Sequence, residues 1–254
     1  MADIPEYARK PLQSFLDYQE ECSKLLECSM RGMLLLQNTL DAEATFVQQE
    51  CMSGFPLLHA HTLVGCWGAF EAAMEDLGIG LLMNEPTWLQ EEAFSRLKIP
   101  LAEFEILEKD ERMLLLIQEL QRGQGGNRKR GTASFEHVLN QFQLSGEVDP
   151  GVKQTIWEMY NVRNVIVHRA SVADRRLVDG CPWMALKIGQ LVVVTSKMSK
   201  SYADALFRYI RSLLAQLAQR YHDTSLQDRL LRTPEEPVVL DSHTELQAVQ
   251  MNGG

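Results

Sequence analysis

The chain has 254 residues, 45% of them apolar and 23% charged, which is enough for one large or two small domains with a true core. A net charge of −9 excludes a protein that is basic overall, so any nucleic-acid reader here must gather its cations into a patch. Five scattered cysteines (Cys22, Cys28, Cys51, Cys66, Cys181), without a C-x-x-C pair or a Cys/His zinc spacing, read as reduced thiols of a cytoplasmic protein. The acidic start, Met-Ala-Asp-Ile-Pro-Glu, lacks a signal-peptide pattern.

Residues 6–51 carry apolar side chains at helical spacing, among them Phe15, Leu25, Leu26, Met33, Leu36 and Leu40. They predict one long helix, or two with a break near Arg31-Gly32. Gly54 and Pro56 punctuate before a helix over 57–83, in which Leu63, Trp67, Phe70, Met74, Leu77 and Leu81 alternate by four and three. This is the most apolar stretch of the chain. His59, His61, Glu71, Glu75 and Asp76 within it favour a core helix over a membrane span, so no membrane association is expected. A second stripe, Gly65, Ala69 and Ala72, would admit another backbone closely, inside one subunit or between two.

Pro86 and Pro100 bracket a short helix, and 101–121 reads as another. A glycine-rich loop over 122–130 follows, with Arg122, Arg128, Lys129 and Arg130. It lacks the spacing and the preceding strand of a phosphate-binding nucleotide loop. It reads either as a solvated loop or as a basic arm whose Arg128, Lys129 and Arg130 track an RNA backbone. Thr132 or Ser134 can cap a helix through 143. Asp149 and Pro150 are a cap and first position for the next helix, 150–168. Beyond it, 184–188 and 190–195 read as two short strands joined near Gly189, a small β-hairpin. An amphipathic helix over 201–221 closes the pattern, with Tyr202, Leu206, Phe207, Ile210, Leu213 and Leu217 inward. From Asp223 the chain turns polar, and 223–254 is expected to be a mostly disordered tail.

The chemistry concentrates in Arg163-Asn164-Val165-Ile166-Val167-His168. Asn164 and His168 are four apart and share a helix face. Arg163 lies to one side, but its stem is long enough to carry the guanidinium back toward the imidazole. A planar fork of donors can hold a phosphate and an imidazole can move its proton near neutral pH. Arg169, Arg175 and Arg176 follow at once, so local charge is positive although the whole is not. The string alone arises readily by chance, and Arg130 with His137 offers a looser decoy. The context favours Arg163 and His168: an amide after the arginine, an apolar run, and a helix end at the histidine.

That context resembles the HEPN superfamily of all-α domains, many of which are metal-independent ribonucleases. Their signature is an arginine, usually followed by a polar residue, then a histidine four to six residues later near a helix end. Arg163, Asn164 and His168 match it, and the segment 69–77 around Phe70-Glu71 resembles a core helix of the group. The resemblance covers roughly 57–221. It implies a mainly α, multi-helix bundle over 57–222, with 1–56 as a helical extension packed on it and the hairpin as an insertion. It further implies a homodimer that faces two motifs across a cleft, and RNA cleavage by 2′-hydroxyl attack that leaves a 2′,3′-cyclic phosphate and a 5′-hydroxyl. His168 would move the proton, Arg163 would neutralise phosphoryl charge, Asn164 would orient, and Glu71 would hold Arg163 or His168. A toxin or antiviral effector held inactive by an antitoxin or other regulatory protein is the implied role. Ala170 stands where some HEPN toxins carry a modifiable tyrosine, so that control is not implied here.

Other chemistries are weaker. Glu71, Glu75 and Asp76 lack the Glu-x-x-His pairs of a di-iron bundle, so neither metal nor cofactor is expected. Trp157 and Tyr160 read as core packing before base stacking. Cys66 and Cys181 lack a positioned histidine for nucleophilic work. The alternative from another class is a non-catalytic helical module for dimerisation or protein interaction. A DNA-binding regulator is a third reading, without a basic recognition helix.

Overall fold

The computed structural model describes residues 3–37, 43–122, 132–144 and 148–232. Arg128, Lys129, Arg130 and 233–254 lie outside these residues. The described chain is helical: α1 Glu6–Leu36, α2 Ala44–Ser53, α3 Pro56–Asn84, α4 Glu92–Ser95, α5 Leu101–Glu105, α6 Lys109–Arg122, α7 Thr132–Gln141, α8 Pro150–Arg169, α9 Arg175–Gly180, α10 Ser196–Arg220 and α11 Thr224–Arg232. No helix among them is long and apolar enough to cross a membrane.

The seam expected on α3 is the axis of the bundle. Leu63, Trp67, Phe70, Met74, Leu77 and Leu81 are all buried. Phe70 sits in an aromatic cluster, with ring centroids 5.1 Å from Phe135 of α7, 5.6 Å from Phe15 of α1 and 5.7 Å from Tyr209 of α10. Such near-perpendicular contacts match ring edge to ring face. Trp67 meets Tyr160 of α8 at 5.5 Å.

Side-chain contacts set the helix directions. Tyr18 lies against Gly65 and Tyr7 against Gly80, so α1 runs antiparallel to α3. A Cβ on Gly80 would come within 2.5 Å of the Tyr7 carbonyl oxygen, so only glycine allows that approach. The Gly65 side of the small-residue stripe is therefore occupied by α1 of the same chain. α10 runs parallel to α3: Tyr209 meets Phe70, and the Tyr221 hydroxyl donates to Glu85 just past the end of α3. α8 opposes α10. Glu158 accepts from the Tyr202 hydroxyl at 2.9 Å, while Lys153 and Tyr209 meet α7 at Glu136 and Phe135.

Several boundaries differ from expectation. α1 passes through Gly32 without a break and ends at Leu36. The helix expected over 101–121 is two, because Arg112 donates to the carbonyls of Leu107 at 2.8 Å and Glu105 at 2.9 Å. The Glu108 amide also donates to the Glu111 carboxylate, which starts α6 anew. Asp223 does not begin an irregular tail. Its carboxylate accepts from the Leu226 amide at 2.9 Å and caps α11, so nine residues of the expected tail are helical.

The β-hairpin is a correction. Residues 184–188 and 190–195 do not pair, and no strand forms among the described residues. Pro182–Met184 is a single 3-10 turn, and Ala185 then takes a left-handed backbone, φ 52°. Gly189, at φ 85°, closes a tight turn in which Gln190 donates to Lys187. The extended stretch after it pairs instead with the residues following α8, through a lone antiparallel bridge between Val172 and Leu191. The alternation behind the expectation is real: Val192 and Val194 are buried, and Leu191 and Val193 are exposed.

Candidate functional site at the end of the motif helix

α8 starts where its sequence directs. Asp149 accepts from the Gly151 amide at 2.6 Å and Pro150 takes the first position. Val152, Ile156, Met159, Val162 and Val165 are buried and fix the rotation of the helix. At the far end Ala170 and Ser171 both take left-handed backbones, and the Ser171 amide bonds to the Val165 carbonyl, which satisfies an otherwise open helix end.

With that rotation set, Arg163 and Asn164 are half-buried and His168 is exposed in the last turn. Five positions rotate a side chain about 140° around the helix. The arginine nevertheless folds back: its Nη1 donates to Asn164 Oδ1 at 3.2 Å. The guanidinium thus reaches the stripe that Asn164 shares with His168. Its Nε is buried without a hydrogen-bond partner. Such a donor typically costs about 1–3 kcal/mol. The imidazole, one turn beyond Asn164, faces solvent in the last turn of the helix.

Glu71 is not brought to this place. Because α10 parallels α3 and opposes α8, α8 opposes α3. Past Tyr160, which faces Trp67, α8 advances toward lower-numbered residues of α3 and away from Glu71. Glu71 makes no hydrogen bond or ion pair with Arg163 or His168.

The three following arginines lie on the surface after the motif helix. Arg169, Arg175 and Arg176 are exposed, and Arg169 pairs only loosely with Asp174, at 4.0 Å. Asp174 is already engaged, since it accepts from the Leu177 amide and caps α9. From His168 to Lys200 the sequence holds six Lys or Arg residues against two Asp, so this end is cationic within an anionic chain.

Glu158 carried no expectation and proves central to positioning. It sits on α8 one turn before Arg163, and its two oxygens accept from the Tyr202 hydroxyl and the Trp183 indole. It therefore ties α8 to α10 and to the turn at Pro182. A lone glutamate in an amphipathic helix gives no sequence signal for such a tie. Trp157 and Tyr160 stack at 5.6 Å, and the Trp157 indole donates to the Gly180 carbonyl at 2.9 Å, so both belong to packing. Cys66 and Cys181 are buried, and burial pushes each thiol up to about 12; neither offers a thiolate. Among the described residues no cluster of three His, Cys, Asp or Glu side chains is placed to hold a metal ion.

No family model matches this chain, and no curated protein or solved structure does.

Proposed function

We propose that the protein cleaves RNA without a metal ion, with Arg163, Asn164 and His168 as the reacting site. The observation that carries this reading is the half-buried guanidinium held on Asn164, one turn from an exposed helix-terminal imidazole. The outer N–H groups of a planar guanidinium can donate to a phosphodiester. The ribose 2′-oxygen attacks the adjacent phosphorus and the bond to the 5′-oxygen breaks, giving a 2′,3′-cyclic phosphate and a 5′-hydroxyl. His168 takes the proton from the 2′-hydroxyl or supplies one to the departing 5′-oxygen. Arg163 balances the charge that grows on the phosphoryl oxygens. A second copy across the cleft supplies the complementary proton step. Arg169, Arg175 and Arg176 hold flanking phosphates, and so would Arg128, Lys129 and Arg130. Glu71 has no part in this scheme. The HEPN resemblance extends the reading to a toxin or antiviral effector restrained by a partner.

The test is a generic RNA incubated with purified protein in EDTA. Cleavage that His168→Ala and Arg163→Ala each abolish, with the fold intact by circular dichroism, supports the reading. RNA that stays whole, or strict Mg²⁺ dependence, sinks it. The second reading, a non-catalytic interaction module, is favoured by a different observation: Val167, Val172, Ile188, Leu191 and Val193 are apolar and exposed around the same helix end.

A further inference from the structure

Of the four tryptophans only Trp183 is exposed. Trp67 packs on Phe70 and Tyr160, Trp88 on Phe142 and beneath the Arg220 guanidinium, and Trp157 on Tyr160. Trp183 meets no other aromatic ring among the described residues, and 45% of it faces solvent. It is nevertheless held in place. Its indole N–H donates to the Glu158 carboxylate, whose other oxygen is taken by the Tyr202 hydroxyl. The backbone around it is closed into a 3-10 turn, in which the Met184 amide donates to the Cys181 carbonyl at 3.0 Å and the Ala185 amide to the Pro182 carbonyl at 3.1 Å. A ring pinned by its N–H edge presents its face already ordered, so little further freedom is lost when a flat partner lies on it.

α9 connects this indole to the motif, because it runs back along α8. At its start Asp174 lies 4.0 Å from Arg169, and at its end the Gly180 carbonyl accepts from the Trp157 indole at 2.9 Å. From Arg169 back to Trp157 is about 18 Å along α8. One end of this strip therefore holds His168 and the exposed guanidiniums of Arg169, Arg175 and Arg176, and the other leads to the exposed indole. Asp179, exposed in the last turn of α9, repels phosphate from the indole end. The cationic end thus suits backbone phosphates and the indole end suits an uncharged base. Unpaired nucleic acid is bound by this division, with charge for the backbone and a π-face for the base. A duplex has no base to offer, since its bases are stacked on one another.

We propose that Trp183 stacks an unpaired base of single-stranded RNA whose phosphates lie along Arg175 and Arg176 toward His168. This rests on the RNA reading of the motif and names its substrate class. The test measures binding of a short unpaired RNA, and of the same RNA in a duplex, in EDTA. The protein is the full chain carrying His168→Ala, which leaves the RNA whole, with and without Trp183→Ala or Trp183→Phe. Trp183→Ala is expected to weaken the single strand by about 5- to 100-fold and the duplex little. Trp183→Phe, which keeps a ring face but not the N–H, recovers most of that loss. Single-strand binding that Trp183→Ala leaves unchanged overturns the proposal, even where the unaltered chain cleaves RNA. A loss that Trp183→Phe does not repair, shared by the duplex and accompanied by a lower Tm, marks a merely structural indole and also overturns it. Trp183-dependent binding by a chain that never cleaves RNA upholds the stacking site and sinks the nuclease, whereas a chain that binds neither RNA sinks both.

Discussion

The two halves of α8 are built by opposite rules. Its first three turns are welded into the bundle: Val152, Ile156 and Met159 are buried, Tyr160 lies on Trp67, and Glu158 is held from both sides. Its last turn carries Val167, His168 and Arg169 exposed. The buried half fixes the axis and rotation of the helix. The exposed last turn can then present an imidazole one turn beyond the half-buried Arg163 and Asn164. A rigid element with a polar tip is how a site gains position without losing access.

The contrast can be broken at either half. The largest effect is expected at the tip: His168→Ala lowers RNA cleavage by about 10²–10⁴-fold with little change in urea midpoint. Arg163→Lys should also lose most activity, since an ammonium lacks the planar fork. If either variant unfolds instead, the tip is structural and the division fails. In the core, Phe70→Ala removes the ring shared by Phe15, Phe135 and Tyr209 and should cost about 3–5 kcal/mol in denaturant unfolding. Between the halves, Glu158→Ala strands the buried Tyr202 hydroxyl and frees the exposed Trp183 indole, and should cost about 1–3 kcal/mol.

A smaller effect should follow pH. His59 is buried, both ring nitrogens lack partners, and burial holds its imidazole below the ordinary 6.5. The unfolded chain takes up a proton as pH falls through that value and the folded chain does not. His59 therefore supports folding above pH 6.5 and erodes stability as pH drops below it. His59→Leu should flatten the decline of the urea midpoint between pH 7 and 5.5; an unchanged slope would show that other groups set it. The smallest effect is opposite in sign. Burial, with Glu71 and Asp76 nearby, raises the Glu75 carboxyl above its usual range. Its contribution is present at acid pH and lost as pH rises, so Glu75→Gln should raise Tm at pH 7 and do nothing at pH 3.

Much of the core and the start of α8 was legible. Spacing alone places Trp67, Phe70 and Leu77 inward, and Asp149-Pro150 starts α8. The tip was legible only through one short motif. What sequence missed has a common cause: partners distant along the chain. Val192 looked like the second arm of a hairpin because period-two alternation reports a half-buried strand but not its partner, which is the stretch after α8. Glu71 looked close to the motif because both lie on core helices, yet antiparallel packing carries them apart. Asp223 read as the onset of a polar tail when it was a helix cap, since a capping side chain and a loop residue are the same kind of residue. Glu158 was invisible for the same reason as the bridge, its partners being 25 and 44 residues away.

The most direct measurement is the chemistry of the ends left on RNA by the full chain in EDTA, beside its His168→Ala variant. The account predicts fragments with a 2′,3′-cyclic phosphate and a 5′-hydroxyl, produced by the unaltered protein and lost in the variant. Fragments ending in 3′-hydroxyl and 5′-phosphate, or equal cleavage by both proteins, would contradict it.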